Sequence, residues 1–266
     1  MSYIYEPKGK AREYSPLALN TYSGGCDHGC RYCYCSGIMR GAWGTEAKPR
    51  NMSAAILQRE ARQSAKQILL SFIADPYCSG EQTHRKTRAA LNVLASERCS
   101  VAILSKGGSR CLDDLDIFKA WPDSRIKVGA TLTFNSAALS SEWEPGAATP
   151  ADRVDTLRQL HNAGVETWAS IEPVIVPSES LAIIEASLPY CNAYKVGRWN
   201  HDARSNSIDW AEFGKAAVDM IRAAGKRLYV KHDLRPHLPD GYLTSQESDM
   251  NSLSLPDRPK ERTLFA

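Results

Sequence analysis

The sequence predicts an α/β fold, a partial (β/α)6 TIM-type barrel that carries a cysteine loop after its first strand. Three observations predict it. Short apolar, β-rich runs alternate with longer segments of helical period along most of the chain. No G-x-G-x-x-G follows the first run, which removes the main support for a dinucleotide-binding sheet. Four cysteines, Cys26, Cys30, Cys33 and Cys35, crowd into the loop that follows the first run. In parallel α/β barrels, chemistry gathers at that end of the strands.

The predicted strands are 17–22, 68–74, 100–104, 127–134, 165–171, 193–196 and 227–231. Helices are predicted near 53–66, 82–97, 112–120, 150–163, 178–187 and 209–224. Ser53 is placed to cap the first helix, and Thr149 with Pro150 to open the fourth. Gly164 and Gly225 follow two helices where a left-handed C-cap residue is expected. Trp210, Phe213, Ala217, Met220 and Ile221 form one apolar stripe, so the last helix packs on a core. Strand–helix alternation implies a parallel sheet with helices outside. By itself it admits a closed barrel, a partial barrel or an open doubly wound sheet.

The chain has 266 residues, which suits one large α/β domain better than two small ones. Its organisation reads as an irregular N-terminal arm over 1–16, a barrel over 17–240 and a polar C-terminal extension over 241–266. Hydrophobic residues make up 43% and charged residues 24%, enough for a sizeable core. A net charge of +3 falls short of a dedicated nucleic-acid-binding domain, yet permits an anionic substrate. No apolar run is long enough to cross a bilayer, and the first sixteen residues lack an apolar signal core. A cytoplasmic location without membrane partners is expected, where thiols stay reduced.

Eight cysteines are present, the other four scattered at 78, 99, 111 and 191. One dense group in a long chain points to metal rather than disulfides. Thiolates suit zinc, copper(I) and iron–sulfur clusters. A zinc site usually takes two separated ligand pairs, and no second C-x2-C or H-x3-H follows. Cys26, Cys30 and Cys33 form instead a single C-x3-C-x2-C loop, and Gly24, Gly25 and Gly29 give it freedom to fold round a compact object. Three ligands on a cubane leave one iron open. The bland reading is a structural zinc knot with Cys35 as fourth ligand, in a non-catalytic nucleic-acid-binding or electron-transfer protein.

C-x3-C-x2-C with an aromatic, Tyr32, before the third cysteine resembles the signature of the radical S-adenosylmethionine (SAM) superfamily. The resemblance extends to the branch containing spore photoproduct lyase. It runs through NTYSGGCDHGCRYCY, FIADPY, ILSKG, TLTF, EPGAATPADRVDTLRQLHNAG, IEPVI and YKVGRWN, spanning about 17–235. It implies that Cys26, Cys30 and Cys33 hold a [4Fe–4S] cluster whose open iron binds SAM. The cluster would cleave SAM reductively to a 5′-deoxyadenosyl radical that abstracts hydrogen from a substrate. It also implies an electron donor such as flavodoxin or ferredoxin. The branch favours a nucleobase, nucleotide or nucleic acid as substrate; a peptide or small metabolite stays open.

The same resemblance suggests further site residues. Tyr32 should lie near the adenine. Asp75, at the end of the second strand, is placed to orient ligand hydroxyls or amines, or simply to start a turn at Pro76. The Gly-Gly-Glu usual in this region is absent. Lys106 suits the SAM carboxylate, since a lysine in a barrel mouth is costly to bury unpaired. Thr131 or Thr133 would add a hydroxyl to the same carboxylate; alternation puts both on one face, and Thr131 is preferred. Glu172 would contact SAM or substrate, or sit in a salt bridge within the barrel. Lys195 and Arg198, with the Trp199-Asn200-His201 that follows, would hold a nucleotide or another planar anion, or lie in an ordinary loop. Cys35, and more distantly Cys78, are candidate hydrogen-atom donors. The lyase's quenching cysteine aligns with Phe72, and the chain before the loop is short, so simple spore-lesion repair is disfavoured.

Overall fold

The computed structural model describes residues 2–39 and 42–258. Ten strands are present among them: β1 (Ile4–Tyr5), β2 (Leu17–Leu19), β3 (Tyr22–Ser23), β4 (Lys48–Pro49), β5 (Ile68–Leu70), β6 (Val101–Ser105), β7 (Ile126–Thr131), β8 (Glu166–Ile171), β9 (Ala193–Val196) and β10 (Arg227–Val230). The α-helices are α1 (Cys35–Ile38), α2 (Ala54–Gln63), α3 (Glu81–His84), α4 (Lys86–Ser96), α5 (Leu115–Lys119), α6 (Ala137–Trp143), α7 (Pro150–Asn162), α8 (Pro177–Ser187), α9 (Trp210–Ala223) and α10 (Ser245–Ser248). One sheet runs β1-β2-β5-β6-β7-β8-β9-β10. Every pairing in it is parallel except β1 with β2. Six strand–helix units followed by β10 make the partial barrel that the alternation implies.

Local chemistry explains the boundaries. Ser53 and Thr149 cap α2 and α7 by accepting from Ile56 N and Asp152 N. Gly164 and Gly225 take positive φ beyond α7 and α9, as expected at C-caps. The second predicted helix is broken, because Arg85 adopts a left-handed conformation between α3 and α4. The first predicted strand is also shorter than expected. After Leu19 the chain leaves the barrel, and Tyr22–Ser23 pairs with Lys48–Pro49 in a separate ribbon.

Two apolar clusters lie between sheet and helices, one including Leu57, Leu91, Ile103 and Phe118, the other Leu157, Ile184, Phe213 and Ile221. A third fills the lumen: Leu69, Ala102, Trp168, Ala193, Tyr229 and Leu253, with Tyr14, Phe72 and Leu104 against it. Trp168 lies across the lumen because its neighbour in β7 is Gly129; a Cβ there would meet the indole at 2.5 Å.

Both termini depart from expectation. Residues 2–16 are not merely an irregular arm. Ile4–Tyr5 extends the sheet, and Gly9–Glu13 forms a 3-10 turn that reaches toward β9 and β10 at the opposite edge. There the Glu13 carboxylate accepts from Tyr229 Oη at 2.6 Å and His232 N at 2.8 Å, and Lys195 Nζ donates to Glu13 O at 2.6 Å. The arm thus spans the edges that the sheet leaves unpaired. Residues 241–258 are not a surface extension either. Thr244 and Glu247 close a capping box on α10, and Leu253 and Leu255 are buried. Lys127 Nζ donates to Leu253 O, and Ser100 Oγ to Pro256 O at 2.5 Å, so the tail stops the barrel's N-terminal end. Its few apolar residues suffice because the lumen offers them a cavity. The rest of that expected extension, 259–266, lies outside the described residues, as does Met1.

Candidate functional site

The cysteine loop is seated by backbone contacts on two sides and a side-chain contact on a third. Gly44 N donates to Gly24 O at 2.8 Å and Cys26 N to Gly44 O at 3.3 Å, next to the β3–β4 ribbon. Arg31 N donates to Trp143 O at 2.9 Å and Gly146 N to His28 O at 3.0 Å, tying the loop to the α6–α7 connection. On the third side, His28 Nδ1 lies 3.5 Å from Asp75 Oδ2.

Each sulfur then has its own partner. Cys26 accepts from the backbone N–H groups of His28 and Asp75. Cys30 lies beside the Lys106 ammonium. The Cys35 thiol, buried at the start of α1, hydrogen-bonds Cys33. Burial, with the Asp75 carboxylate adding to it, pushes the Cys26 thiol up to about 12. Burial raises Cys30 as well, against the Lys106 charge. Such thiols do not ionise at neutral pH unless a cation compensates, and iron would be that cation. Among the described residues, no three Cys, His, Asp or Glu side chains converge as a single metal ion demands. A cubane asks for something else, one thiolate per iron on a loop.

Tyr32 is anchored across the mouth. Its hydroxyl donates to Glu144 Oε1 and lies 3.5 Å from Thr133 Oγ1. Glu144, 1% exposed, also accepts from Arg153 Nη2 at 2.5 Å and Ser140 Oγ at 3.3 Å. Arg153, equally buried, donates to Ala148 O and Thr131 O. Burial opposes the Glu144 charge, but Arg153 and Lys106 outweigh it and lower the carboxyl's pKa. Sequence reasoning quoted the segment carrying both residues yet missed their pairing.

Lys106 follows β6 and holds its Nζ 5.6 Å from the Tyr32 ring centroid. Burial disfavours its charge, yet the Cys30 sulfur and the Glu144 carboxylate offset that, and its pKa is raised. Among the described residues no side chain or carbonyl hydrogen-bonds this ammonium. Thr131 sits at the end of β7, 4% exposed. The Thr133 hydroxyl donates to Glu144 at 3.3 Å, which leaves Thr131 as the uncommitted hydroxyl of the two.

Other expected residues are committed elsewhere. Asp75 accepts from Ser105 Oγ at 2.6 Å, Lys106 N at 2.7 Å and Tyr77 N at 2.8 Å, so it joins the ends of β5 and β6. Glu172 accepts from Lys231 Nζ, from Tyr14 Oη at 2.6 Å and from Asn200 Nδ2 at 3.0 Å, the salt bridge that was its alternative reading. Lys195 is not at the mouth. It is sealed under the N-terminal arm between the Tyr14 and Tyr229 rings, and burial drives its pKa well down. Arg198 stacks on Trp210 at 4.8 Å and meets His237 Nε2 at 3.0 Å, on the α9 side of the sheet. Cys78 is fully buried with Tyr22 and Ala74, and burial pushes it up to about 12. Phe72 meets Tyr14 edge-on at 5.9 Å.

Beside the loop opens a cleft of 330 Å³ lined by Arg31, Tyr32, Cys33, Tyr34, Trp199 and His201 among others. Tyr34 is 44% exposed, and Arg204 covers Trp199 at 4.9 Å. No helix among the described residues is long and apolar enough to cross a membrane.

Comparison with known proteins bears on this arrangement. The family model described as "Radical SAM superfamily" matches residues 20–188. An uncharacterized protein of Methanocaldococcus jannaschii is 28% identical over 181 residues, 66% of this chain and 67% of that protein. An uncharacterized protein of Acidianus two-tailed virus is 24% identical over 193 residues, 67% of this chain but 62% of its own length. Among solved structures, a spore photoproduct lyase C140S mutant superposes with TM-score 0.67 at 10% identity, over 86% of this chain and 80% of that one. Streptococcus suis SuiB bound to S-adenosylmethionine gives TM-score 0.63 at 14% identity, over 87% of this chain and 54% of SuiB. The chain therefore spans only about half of SuiB, and at these identities both structures speak for the fold.

Proposed function

This chain belongs to the radical SAM superfamily of enzymes, and from that premise we propose that Cys26, Cys30 and Cys33 hold a [4Fe–4S] cluster that binds SAM. When bound, such a cluster supplies one electron to the sulfonium of SAM, giving methionine and a 5′-deoxyadenosyl radical that abstracts hydrogen from the substrate. The protein's part is placement. The observation that carries this reading is Lys106, a buried ammonium over Tyr32 and near Cys30 and Glu144 that makes no hydrogen bond among the described residues. An unpaired buried cation is costly, and the carboxylate of SAM would satisfy it. Thr131 adds a hydroxyl to that carboxylate, and Tyr32 meets the adenine. Asp75 serves SAM indirectly, by orienting His28, Ser105 and the Lys106 backbone. Glu172 lies with Lys231 in the mouth and would meet substrate only through its outer edge.

For the substrate, a nucleobase, nucleotide or nucleic acid is favoured. The cleft beside Cys33 offers an exposed ring at Tyr34 and, at its rim, the Arg31 guanidinium paired with Glu142, groups that stack on bases and meet phosphates. We assign the hydrogen-atom transfer to Cys35, which neighbours Cys33, rather than to Cys78, which packs with Tyr22 and Ala74. A flavodoxin- or ferredoxin-like donor in the cytoplasm would reduce the cluster.

Anaerobic reconstitution followed by reduction with SAM tests the proposal. About four irons per chain and formation of 5′-deoxyadenosine are expected. Cys30→Ala should lose both together. Product from the Cys30→Ala protein, or wild-type protein that binds zinc but no cluster, refutes the assignment.

A further inference from the structure

Tyr32 belongs to the cysteine loop after β2, but the groups that hold its hydroxyl come from beyond β7. Glu144 sits just after α6 and Arg153 within α7. The pair is 1% exposed on both sides and makes contacts beyond its own: Arg153 to two backbone carbonyls, Glu144 to Ser140, Thr133 and Tyr32. A buried ion pair is a weak source of stability, since desolvation offsets most of its attraction. What this one does provide is a fixed point for the phenol. The ring of Tyr32 lies under Lys106 while its hydroxyl is held by Glu144, with Thr133 Oγ1 at 3.5 Å.

We propose that Glu144 and Arg153 are positioning residues that clamp Tyr32 from across the barrel mouth, and so set its ring plane for SAM. The inference rests on the cluster reading above and deepens it. A phenol committed to a fixed carboxylate cannot swing, so the ring face is ready before SAM arrives, and less order has to be imposed on binding.

The test uses full-length reconstituted protein with Tyr32→Phe, Glu144→Gln and the double variant. Tyr32→Phe keeps the ring and removes only the hydroxyl. Each single variant should keep its iron and bind SAM about tenfold more weakly, the scale of one hydrogen bond to a charged group. The rate at saturating SAM should change far less. Because both residues act through one phenol, the double variant should be no weaker than the worse single one. SAM affinity unchanged in Tyr32→Phe overturns the clamp, even where Glu144→Gln fails to fold. Additive losses in the double variant overturn it too. Wild-type protein that takes up no cluster overturns this inference along with the cluster reading; wild-type protein that cleaves SAM beside unaffected variants overturns the clamp alone.

Discussion

Gly25→Ala isolates the seat of the cysteine loop from the rest of the fold. The backbone at Gly25 is ordinary, with no positive φ, so only space excludes a side chain there. A Cβ at this position would lie 2.2 Å from Glu46 O and 2.6 Å from Gly44 O. Both are backbone atoms and cannot rotate away. Ordinary contact needs roughly 3.5 Å, so one side of the Gly25–Gly44 bridge must retreat by about 1 Å. That bridge holds Cys26 through its N–H to Gly44 O. Overpacking of this kind costs about 1–3 kcal/mol, enough to empty the seat without unfolding the barrel. Gly37→Ala is the matched control, since its Cβ would meet nothing within 4 Å. The assay pairs iron per chain after anaerobic reconstitution with the apoprotein's thermal midpoint by circular dichroism. Gly25→Ala should fall below about one iron per chain while its midpoint drops by no more than roughly 10 °C. Gly37→Ala should match wild type in iron. If Gly25→Ala reconstitutes fully, the loop is not seated as described.

Two further perturbations probe the barrel interior. Leu253→Ala removes a side chain that is 3% exposed against Trp168 and Tyr229. It should cost about 2–5 kcal/mol in urea unfolding, and a loss under roughly 0.5 kcal/mol would mean the tail is not packed there. Lys127→Met tests the buried lysine, whose pKa burial pushes down to about 8. The unfolded chain then holds the extra proton between about 8 and its ordinary 10.5, so this residue makes stability rise with pH across that window. At neutral pH the buried charge costs about 3 kcal/mol, partly recovered through its bond to Leu253 O. The variant should therefore be favoured most at pH 7, with its advantage shrinking toward pH 10. Urea midpoints of the two proteins that stay parallel from pH 7 to 10 would contradict the buried-charge account.

Much of the scaffold was legible before any coordinates. Lys127–Thr131 reads as strand and Pro150–Asn162 as helix because periodicity, β-branched content and caps are local properties, each decided by neighbours within a few residues. The loop of Cys26, Cys30 and Cys33 was legible for a similar reason, since ligand spacing within one loop is itself a local feature. The site around it was legible only in part. Lys106 was expected at the mouth and is there, because the end of a strand fixes which way its side chain leaves the sheet. Lys195 carried the same kind of signal and proved to be sealed, because the arm that covers it comes from residues 9–14, nearly two hundred positions away. The tail from 241 looked like a solvated extension on composition, yet two leucines were enough to dock it.

What the sequence by itself determined, then, is the strand–helix alternation and the cysteine spacing, both written in short stretches of chain. Only the tertiary structure decided which charges are spent on each other. Glu144 with Arg153, Glu172 with Lys231 and Glu13 with Tyr229 and His232 are pairings between segments far apart in most cases and brought together by the curvature of the sheet. A buried charge must find a partner wherever the fold offers one, and no local pattern records where that will be. Lys106 meets Cys30, Glu144 and the Tyr32 ring yet makes no hydrogen bond among the described residues, and that is a property of the assembled mouth rather than of its sequence neighbours.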